Sequence, residues 1–454
     1  MKDKIPGRIL TICERLSIRG FQTVVVGGAV RDLLMGREPH DFDLATAATP
    51  DQIMEVFPSE HRVNTGIKHG TVLVVIDDEP IEVTTFRREQ GFTDGRHPDQ
   101  VEFTTDLTED LARRDFTINA IAFDPEKNLI IDPFDGKEDI KWKIIKTVGL
   151  ATDRFREDGL RILRAARFSA QLCFQIEGWT FQAMNTEMDM LDQISAERIR
   201  DELVKLLQSD HPRLGLNDLE EACLLEKILP EFVPMIGMHQ NQFHTHDVWG
   251  HVLEVVHNAP RHLRIAAFFH DIGKVATRAP KKDCPGEFTF YGHDDIGADL
   301  TRAIMGCLKF SNDEISHTVC MVKNHMLLKN SKNIKAAGIR RAIARIGKQN
   351  MEDIFALSVA DIRGMGSDEK MAKCLADEAE LHERFNTEMN RTVVVQSPRD
   401  LAIGGRDLIS LLEMKPGPAV GEMIKFLVDT VLEDPDKNTR ETLLQIAKDK
   451  LWSV

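Results

Sequence analysis

Residues Val24 to Thr46 read VVVGGAVRDLLMGREPHDFDLAT, and the fold of the first part of the chain turns on this stretch. Its β-branched start fits a buried strand. Gly27 and Gly28, which end it, can take positive φ and turn bare backbone N–H groups toward an anion. Arg31 falls one turn into the helical stretch that follows, within reach of a phosphate held there. Further on, Asp41 and Asp43 flank Phe42. In a strand, residues two apart share a face, so both carboxylates would point the same way, roughly 6–7 Å apart at Cα, while Phe42 points into the core. Two like charges so placed need cations. Mg²⁺ suits an all-oxygen donor set, and a pair of such ions would serve an in-line phosphoryl displacement. Glu82, which alternates with apolar residues in IEVTTF, is the candidate third carboxylate on a neighbouring strand. A Gly-Gly turn or a D-x-D pair alone is common on surfaces; the two together behind one strand point to nucleotide chemistry.

The chain has 454 residues, 42% of them apolar, enough for several domains. Four β-branched runs (TVVVGG, TVLVVI, IEVTTF and NLIIDP) mark residues 1–135 as a small head with a mixed sheet. Beyond Gly136 the three-and-four spacing of apolar residues predicts helices: a neck and body over 136–240, a histidine-rich all-α block over 241–365 and a helical tail over 366–454. The fold class is therefore α+β. The amino terminus MKDKIPGRIL lacks the apolar region of a signal peptide, and no run of about 18 apolar residues occurs, so the expectation is a cytoplasmic protein without membrane spans. Seven cysteines (13, 173, 223, 284, 307, 320 and 374) never fall in C-x-x-C spacing. They are expected to be reduced core residues rather than disulfides or zinc thiolates. A net charge of −15 argues against indiscriminate coating of nucleic acid, but Lys137 to Arg167 carries nine Lys/Arg against five Asp/Glu. That patch is suited to RNA phosphates. A second basic cluster, IRRAIARIGK from Ile339, reads as a solvated helix face.

Asp158 and Arg161 lie three apart in a predicted helix and hence on one face. A carboxylate beside a guanidinium can imitate a base-pairing partner, accepting from the exocyclic amine of cytosine or adenine and donating to their ring acceptors. Uracil and guanine would set a carbonyl oxygen against the carboxylate, at about 1–3 kcal/mol.

GGAVRDLLMGREPHDFDLAT from Gly27, RRDFTINAIAFD from Arg113, DPFDG from Asp132 and DRFREDGLRILRAARF from Asp153 occur in that order. In these residues the chain resembles the class II tRNA nucleotidyltransferases, the polymerase-β-like family of CCA-adding, A-adding and CC-adding enzymes and bacterial poly(A) polymerases. The resemblance implies that Asp41 and Asp43 hold catalytic metals and that Arg113, Arg114, Asp115 and Asn119 contact the ribose and triphosphate. It makes Glu157, Asp158 and Arg161 the protein template for CTP and ATP, with Arg164 also nucleotide-binding and tRNA as the acceptor. REQGFTDGRHPDQVEF from Arg88 shows no obvious deletion, which disfavours addition of C alone.

The histidine block contains HDVWGHVLEVVHNAP, IAAFFHDIGKVATRAP, YGHDDIGADL, VKNHMLL and LSVADIRGM. Adjacent His270 and Asp271 in an apolar helix are costly to bury without a metal. With His251 upstream and Asp361 downstream, the pattern resembles the HD phosphohydrolase superfamily, which makes those four residues metal ligands and suits Lys274 to a phosphate. His293 and His325 fall where some members add ligands for a second metal, the alternative being satisfied core or surface histidines. His244, His246, His257 and His262 are not expected to be ligands. Imidazole donors favour Mn²⁺, Ni²⁺ or Co²⁺ over Mg²⁺, and hydrolysis of a cyclic phosphate, a 2′-nucleotide or a phosphomonoester would follow. The rival of a different class is an HD hydrolase of a signalling nucleotide with a regulatory head; intact Asp41, Asp43, Asp158 and Arg161 speak against it. Oligomeric state is not legible.

Overall fold

Strand β1 (Thr23–Val26) is buried on both faces, which is why all four of its residues are β-branched. In the computed structural model it lies inside a seven-stranded sheet of order β3-β4-β5-β2-β1-β8-β9. The other strands are β2 (Asp43–Thr46), β3 (His61–Arg62), β4 (Thr71–Ile76), β5 (Glu79–Thr85), β8 (Ala122–Asp124) and β9 (Leu129–Ile131), while β6 (Arg87–Gln90) and β7 (Gln100–Phe103) form a separate ribbon. Neighbours in the sheet are antiparallel except β2 and β5, which are parallel. Alternation along β1 and β2 divides the core. Val25 and Leu44 face one cluster with Ile9, Ile12, Leu16 and Val83, whereas Val24, Val26 and Ala45 face another with Phe86, Leu111 and Ala122. The structure describes residues 1–39, 41–62, 70–92, 99–240, 245–282, 287–327, 333–366, 368–390 and 397–452. His244, and the middle of the stretch from Arg88, lie outside them.

The chain divides into two compact units, Met1–Val233 and Pro234–Val454. In the first, the sheet is followed by helices that include Ala151–Glu157, Leu160–Leu172, Ala196–Leu207 and Pro212–Glu221. Here one expectation is corrected. Asp158 and Arg161 are not on one helix, because Asp158 is extended (φ −148°, ψ 105°) and a new helix starts at Leu160. The break has local and tertiary causes. Asp158 Oδ1 accepts from the Leu160 N–H at 3.1 Å, as an N-capping carboxylate does, and a Cβ on Gly159 would lie 2.7 Å from the carbonyl oxygen of Met190. Gly159→Ala is therefore expected to destabilise this unit by about 1–3 kcal/mol, the usual range for overpacking. Urea unfolding measures it, and an unchanged midpoint would show that the break does not depend on this contact.

The second unit is helical. Val248–Asn258, Arg264–Phe269, His293–Cys307, Asn312–Asn324 and Met351–Arg363 surround the histidines, and Gly405–Leu411, Pro418–Glu433 and Arg440–Trp452 enclose a core of Leu408, Met423, Leu427, Val431, Leu443 and Ala447. Among the described residues no helix is long and apolar enough to cross a membrane. The cysteines depart from the core expectation: Cys13 is buried, but Cys173, Cys223 and Cys307 are exposed. Cys173 and Cys223 have φ of 58° and 59°, in left-handed positions that follow helices.

Candidate functional site

The first site forms where β1 ends. Val26 pairs with Asp43, and Gly27 turns away at φ 73°, ψ −140°. A Cβ on Gly27 would come within 3.1 Å of Arg114 Nη1 and 3.7 Å of Asp43 Oδ2. The bare glycine is thus what lets turn, guanidinium and carboxylate converge. The ladder starts only at Asp43, so Asp41 lies just before the strand rather than in it, while Phe42 packs on the core as expected. Partial burial raises the Asp43 carboxyl above its ordinary value; Arg114 pulls it down and the like charge of Asp41 pushes it up again. In the parallel ladder, Leu44 pairs with Val83 and Ala45 with Thr84. Continued by one residue, that register sets Glu82 beside Asp43, on the face that Ala45 and Thr84 share.

Arg31, Asn119, Asp115 and Arg164 form one chain of hydrogen bonds. Arg31 Nη1 donates to Asn119 Oδ1 (2.8 Å), Asn119 Nδ2 to Asp115 Oδ1 (3.1 Å), and Arg164 Nε and Nη2 to Asp115 Oδ2 (2.9 and 2.5 Å). Burial alone would raise the Asp115 carboxyl, but Arg164 and Asn119 hold it well below the carboxylate range. Arg113 and Arg114 share Asp110, which is fully buried, with closest approaches of 2.8 and 3.4 Å. Sequence reading missed Asp110, which the spacing D-x-x-R-R could have signalled. Burial lowers the Arg114 guanidinium, and its Nε has no hydrogen-bond partner among the described residues. An under-compensated cation beside Asp43 is suited to a phosphate oxygen.

The nucleobase candidates are arranged differently from the sequence expectation. Arg161 Nη1 donates to Glu157 Oε2 (2.5 Å) and its Nη2 to the Arg113 carbonyl (3.1 Å). Asp158 Oδ2 instead accepts from Arg198 Nη2 at 2.7 Å. No sequence signal pointed to Arg198, which arrives on the helix Ala196–Leu207. The basic patch also divides: Lys137, Lys141, Lys143, Lys146 and Arg156 are exposed, whereas Arg154, Arg161, Arg164 and Arg167 turn inward to Glu157, Asp115 and Glu202.

In the second unit, His251, His270, Asp271, His293, His325 and Asp361 are all buried. Each imidazole Nδ1 faces a backbone carbonyl: Gly364 for His251 (3.0 Å), Ala267 for His270 (2.7 Å), Phe290 for His293 (2.7 Å) and Val322 for His325 (2.6 Å). A carbonyl only accepts, so the proton lies on Nδ1 and each Nε2 turns inward. His251 and His270 Nε2 are 3.3 Å apart, and His293 and His325 Nε2 are 3.1 Å apart. Asp271 stands between the pairs, with Oδ2 3.1 Å from His270 and Oδ1 3.4 Å from His293. Asp361 Oδ1 is 3.1 Å from His251 Nε2. Burial lowers His293, and burial beside His293 and His270 pushes His325 down to about 3. Both are therefore neutral near pH 7, and their Nε2 atoms oppose lone pair to lone pair. That arrangement, with the buried Asp271 carboxylate facing both imidazole pairs, fits divalent cations in two groups, His251–His270–Asp271 and Asp271–His293–His325. Lys274 Nζ lies 2.6 Å from Asp271 Oδ2 and 2.7 Å from Gln240 Oε1. His246, His257 and His262 belong to neither group.

Residues 23–146 match the poly A polymerase head domain and 173–236 the probable RNA and SrmB-binding site of polymerase A. Residues 243–345 match the HD domain, and 296–447 a putative domain 2 of tRNA nucleotidyltransferase. The CCA-adding enzyme of Streptococcus mutans is 31% identical over 97% of this chain and 96% of its own, and that of Lactococcus lactis is 33% identical over 99% and 98%. The crystal structure of the Bacillus stearothermophilus CCA-adding enzyme in complex with CTP superposes with a TM-score of 0.70 at 27% identity, covering 98% of each chain. The Thermotoga maritima CCA-adding enzyme complexed with tRNA shares the fold at a TM-score of 0.60 and 18% identity, over 99% of this chain and 97% of its own. With identity sustained over nearly the whole of both chains, this chain belongs to the CCA-adding enzyme family of nucleotidyltransferases.

Proposed function

We propose that the chain adds C, C and A in turn to the 3′ end of tRNA, from CTP and ATP and without a nucleic-acid template. The observation that carries this reading is the convergence of Gly27, Asp43 and Arg114 at the end of β1. The 3′-hydroxyl of the tRNA attacks the α-phosphate and pyrophosphate leaves. Arg114 and the Gly27–Gly28 turn hold the triphosphate; Arg31, Asn119, Asp115 and Arg164 fix the wall against which the ribose lies. Mg²⁺ held by Asp41 and Asp43, with Glu82 beside them, supplies charge neutralisation at the reacting phosphate. Asp158 and Arg161 select the base once it displaces their present partners, Arg198 and Glu157. Lys141, Lys143, Lys146 and Arg156 follow acceptor-stem phosphates.

Labelled CTP and ATP, offered singly and together to tRNA ending at the discriminator base, at C and at CC, test the reading. Ordered extension to CCA supports it, and A-only or unlimited A addition contradicts it. Asp158→Ala is expected to raise UTP incorporation relative to CTP about tenfold or more, because one lost acceptor is worth about 1–3 kcal/mol of discrimination. An unchanged ratio, whatever the absolute rate, would remove Asp158 from base selection.

A second reading rests on the histidine centre. His251, His270, Asp271 and Asp361, with His293 and His325 beside them, would hold divalent transition-metal ions such as Mn²⁺, Ni²⁺ or Co²⁺. The metals supply Lewis acidity for hydrolysis of a phosphate ester, and Lys274 orients the phosphate.

A further inference from the structure

The second basic cluster, IRRAIARIGK, does not behave as one solvated face. Arg340 is buried, with Nε and Nη2 each 2.6 Å from the carbonyls of Leu432 and Glu433 and Nη1 2.7 Å from Glu388 Oε2, so it caps the end of the helix Pro418–Glu433. Arg341 pairs with Glu433. Arg345 does neither.

Arg345 opens instead into a recess of about 290 Å³ lined by one face of the helix Asn312–Asn324. Arg302 and Lys323 line it with Arg345, together with Ser316, Cys320 and Asn324. We propose that this recess binds a phosphate group, at a site distinct from both centres described above and independent of the addition chemistry.

Three features carry the assignment. First, the lining has three cations and no carboxylate, in a chain whose net charge is −15. Second, the three cations are weakly committed. Lys323 meets Asp295 at 3.0 Å and Arg302 meets Asp299 at 3.2 Å, but those carboxylates are 69% and 83% exposed, and such pairs contribute little in water. Arg345 has no ion pair among the described residues; its Nη2 donates to Asn324 Oδ1 at 3.3 Å. An oxyanion entering the recess therefore displaces little and gains charge-assisted hydrogen bonds from several donors. Third, no aromatic side chain lines the recess, so it offers an oxyanion its donors but gives a base no ring to stack on. The same chemistry is presented by a phosphodiester of an RNA strand and by a free phosphate compound.

Cys320 lines the recess, is partly exposed and serves as a local probe. Iodoacetamide alkylation of the full chain, read per cysteine by mass spectrometry, is compared with and without inorganic phosphate, and with and without tRNA ending at the discriminator base, at matched ionic strength. Exposed Cys307, which does not line the recess, is the internal control. Occupancy of about four-fifths is expected to slow Cys320 alkylation about fivefold and leave Cys307 unchanged, with the effect lost in an Arg345→Gln/Lys323→Gln variant of unchanged melting temperature. Protection by phosphate alone identifies a free phosphate compound. Protection by tRNA at far lower concentration, weakening steeply with salt, identifies an RNA backbone. If neither protects, or protection survives in the variant, the proposal is overturned. The phosphate-dependent rise in melting temperature, wild type against variant, gives a second readout that does not use the thiol.

Discussion

Replacement of Asp43 by alanine is expected to lower nucleotide addition at least about 10³-fold, a loss of about 4 kcal/mol of transition-state stabilisation. Binding of tRNA should stay within a few-fold. The carboxyl of Asp43 stands at the meeting point of Gly27 and Arg114 and feels the charge of Asp41, so its removal dismantles the place where phosphate charge is neutralised. The exposed lysines of the neck, which are suited to RNA phosphates, are untouched. Asp41→Ala should behave alike. Single-turnover extension of tRNA with labelled CTP, beside filter binding of the same tRNA, measures both quantities. Near-normal turnover in either variant would remove the aspartate pair from catalysis.

The second large effect is expected at Asp271, the residue common to both candidate metal groups. Asp271→Asn keeps the shape of the side chain but removes the shared charge. Metal retained after dialysis, measured by mass spectrometry of the intact chain's ions, should fall from about two transition-metal ions per chain toward none. Hydrolysis of a 2′,3′-cyclic phosphate or a chromogenic phosphomonoester should fall at least about 100-fold, while addition of C and A continues at a comparable rate. After chelation of the wild-type protein, Mg²⁺ alone should restore addition far more completely than hydrolysis. Full metal retention by the variant would reduce the histidine centre to a hydrogen-bonded core, and loss of both activities in a folded variant would show that the two centres are coupled.

What the sequence made legible is what depends on neighbours along the chain. The β-branched run before Gly27 and the alternation through Asp43 and Ala45 are local patterns with local physical reasons, and the structure contains both; the His270–Asp271 pair is buried as expected but falls in the turn after the helix Arg264–Phe269, with His270 as its C-cap, rather than inside the helix. The break at Asp158 was illegible because it depends on the Met190 carbonyl pressing on Gly159 and on Arg198 arriving from another helix. Helical spacing alone predicts continuity there. The inward turn of Arg164 and Arg167 was hidden for the same reason, since their partners Asp115 and Glu202 lie 49 and 35 residues away; Arg154 and Arg161 meet Glu157 at local spacings of three and four residues. His293 and His325 could be placed only as alternatives from spacing. Their approach to Asp271, and the carbonyls that fix which nitrogen faces inward, are properties of packing.

The central claim is that this one chain selects C, C and A by protein contacts alone. Its most direct measurement offers the wild-type protein all four nucleoside triphosphates at equal concentration, with tRNA ending at the discriminator base, and sequences the 3′ ends of the products. The expected result is a single population ending in CCA, with U and G absent and no growth beyond the terminal A. Products ending in A alone, in runs of A, or in mixtures that follow nucleotide abundance would contradict it.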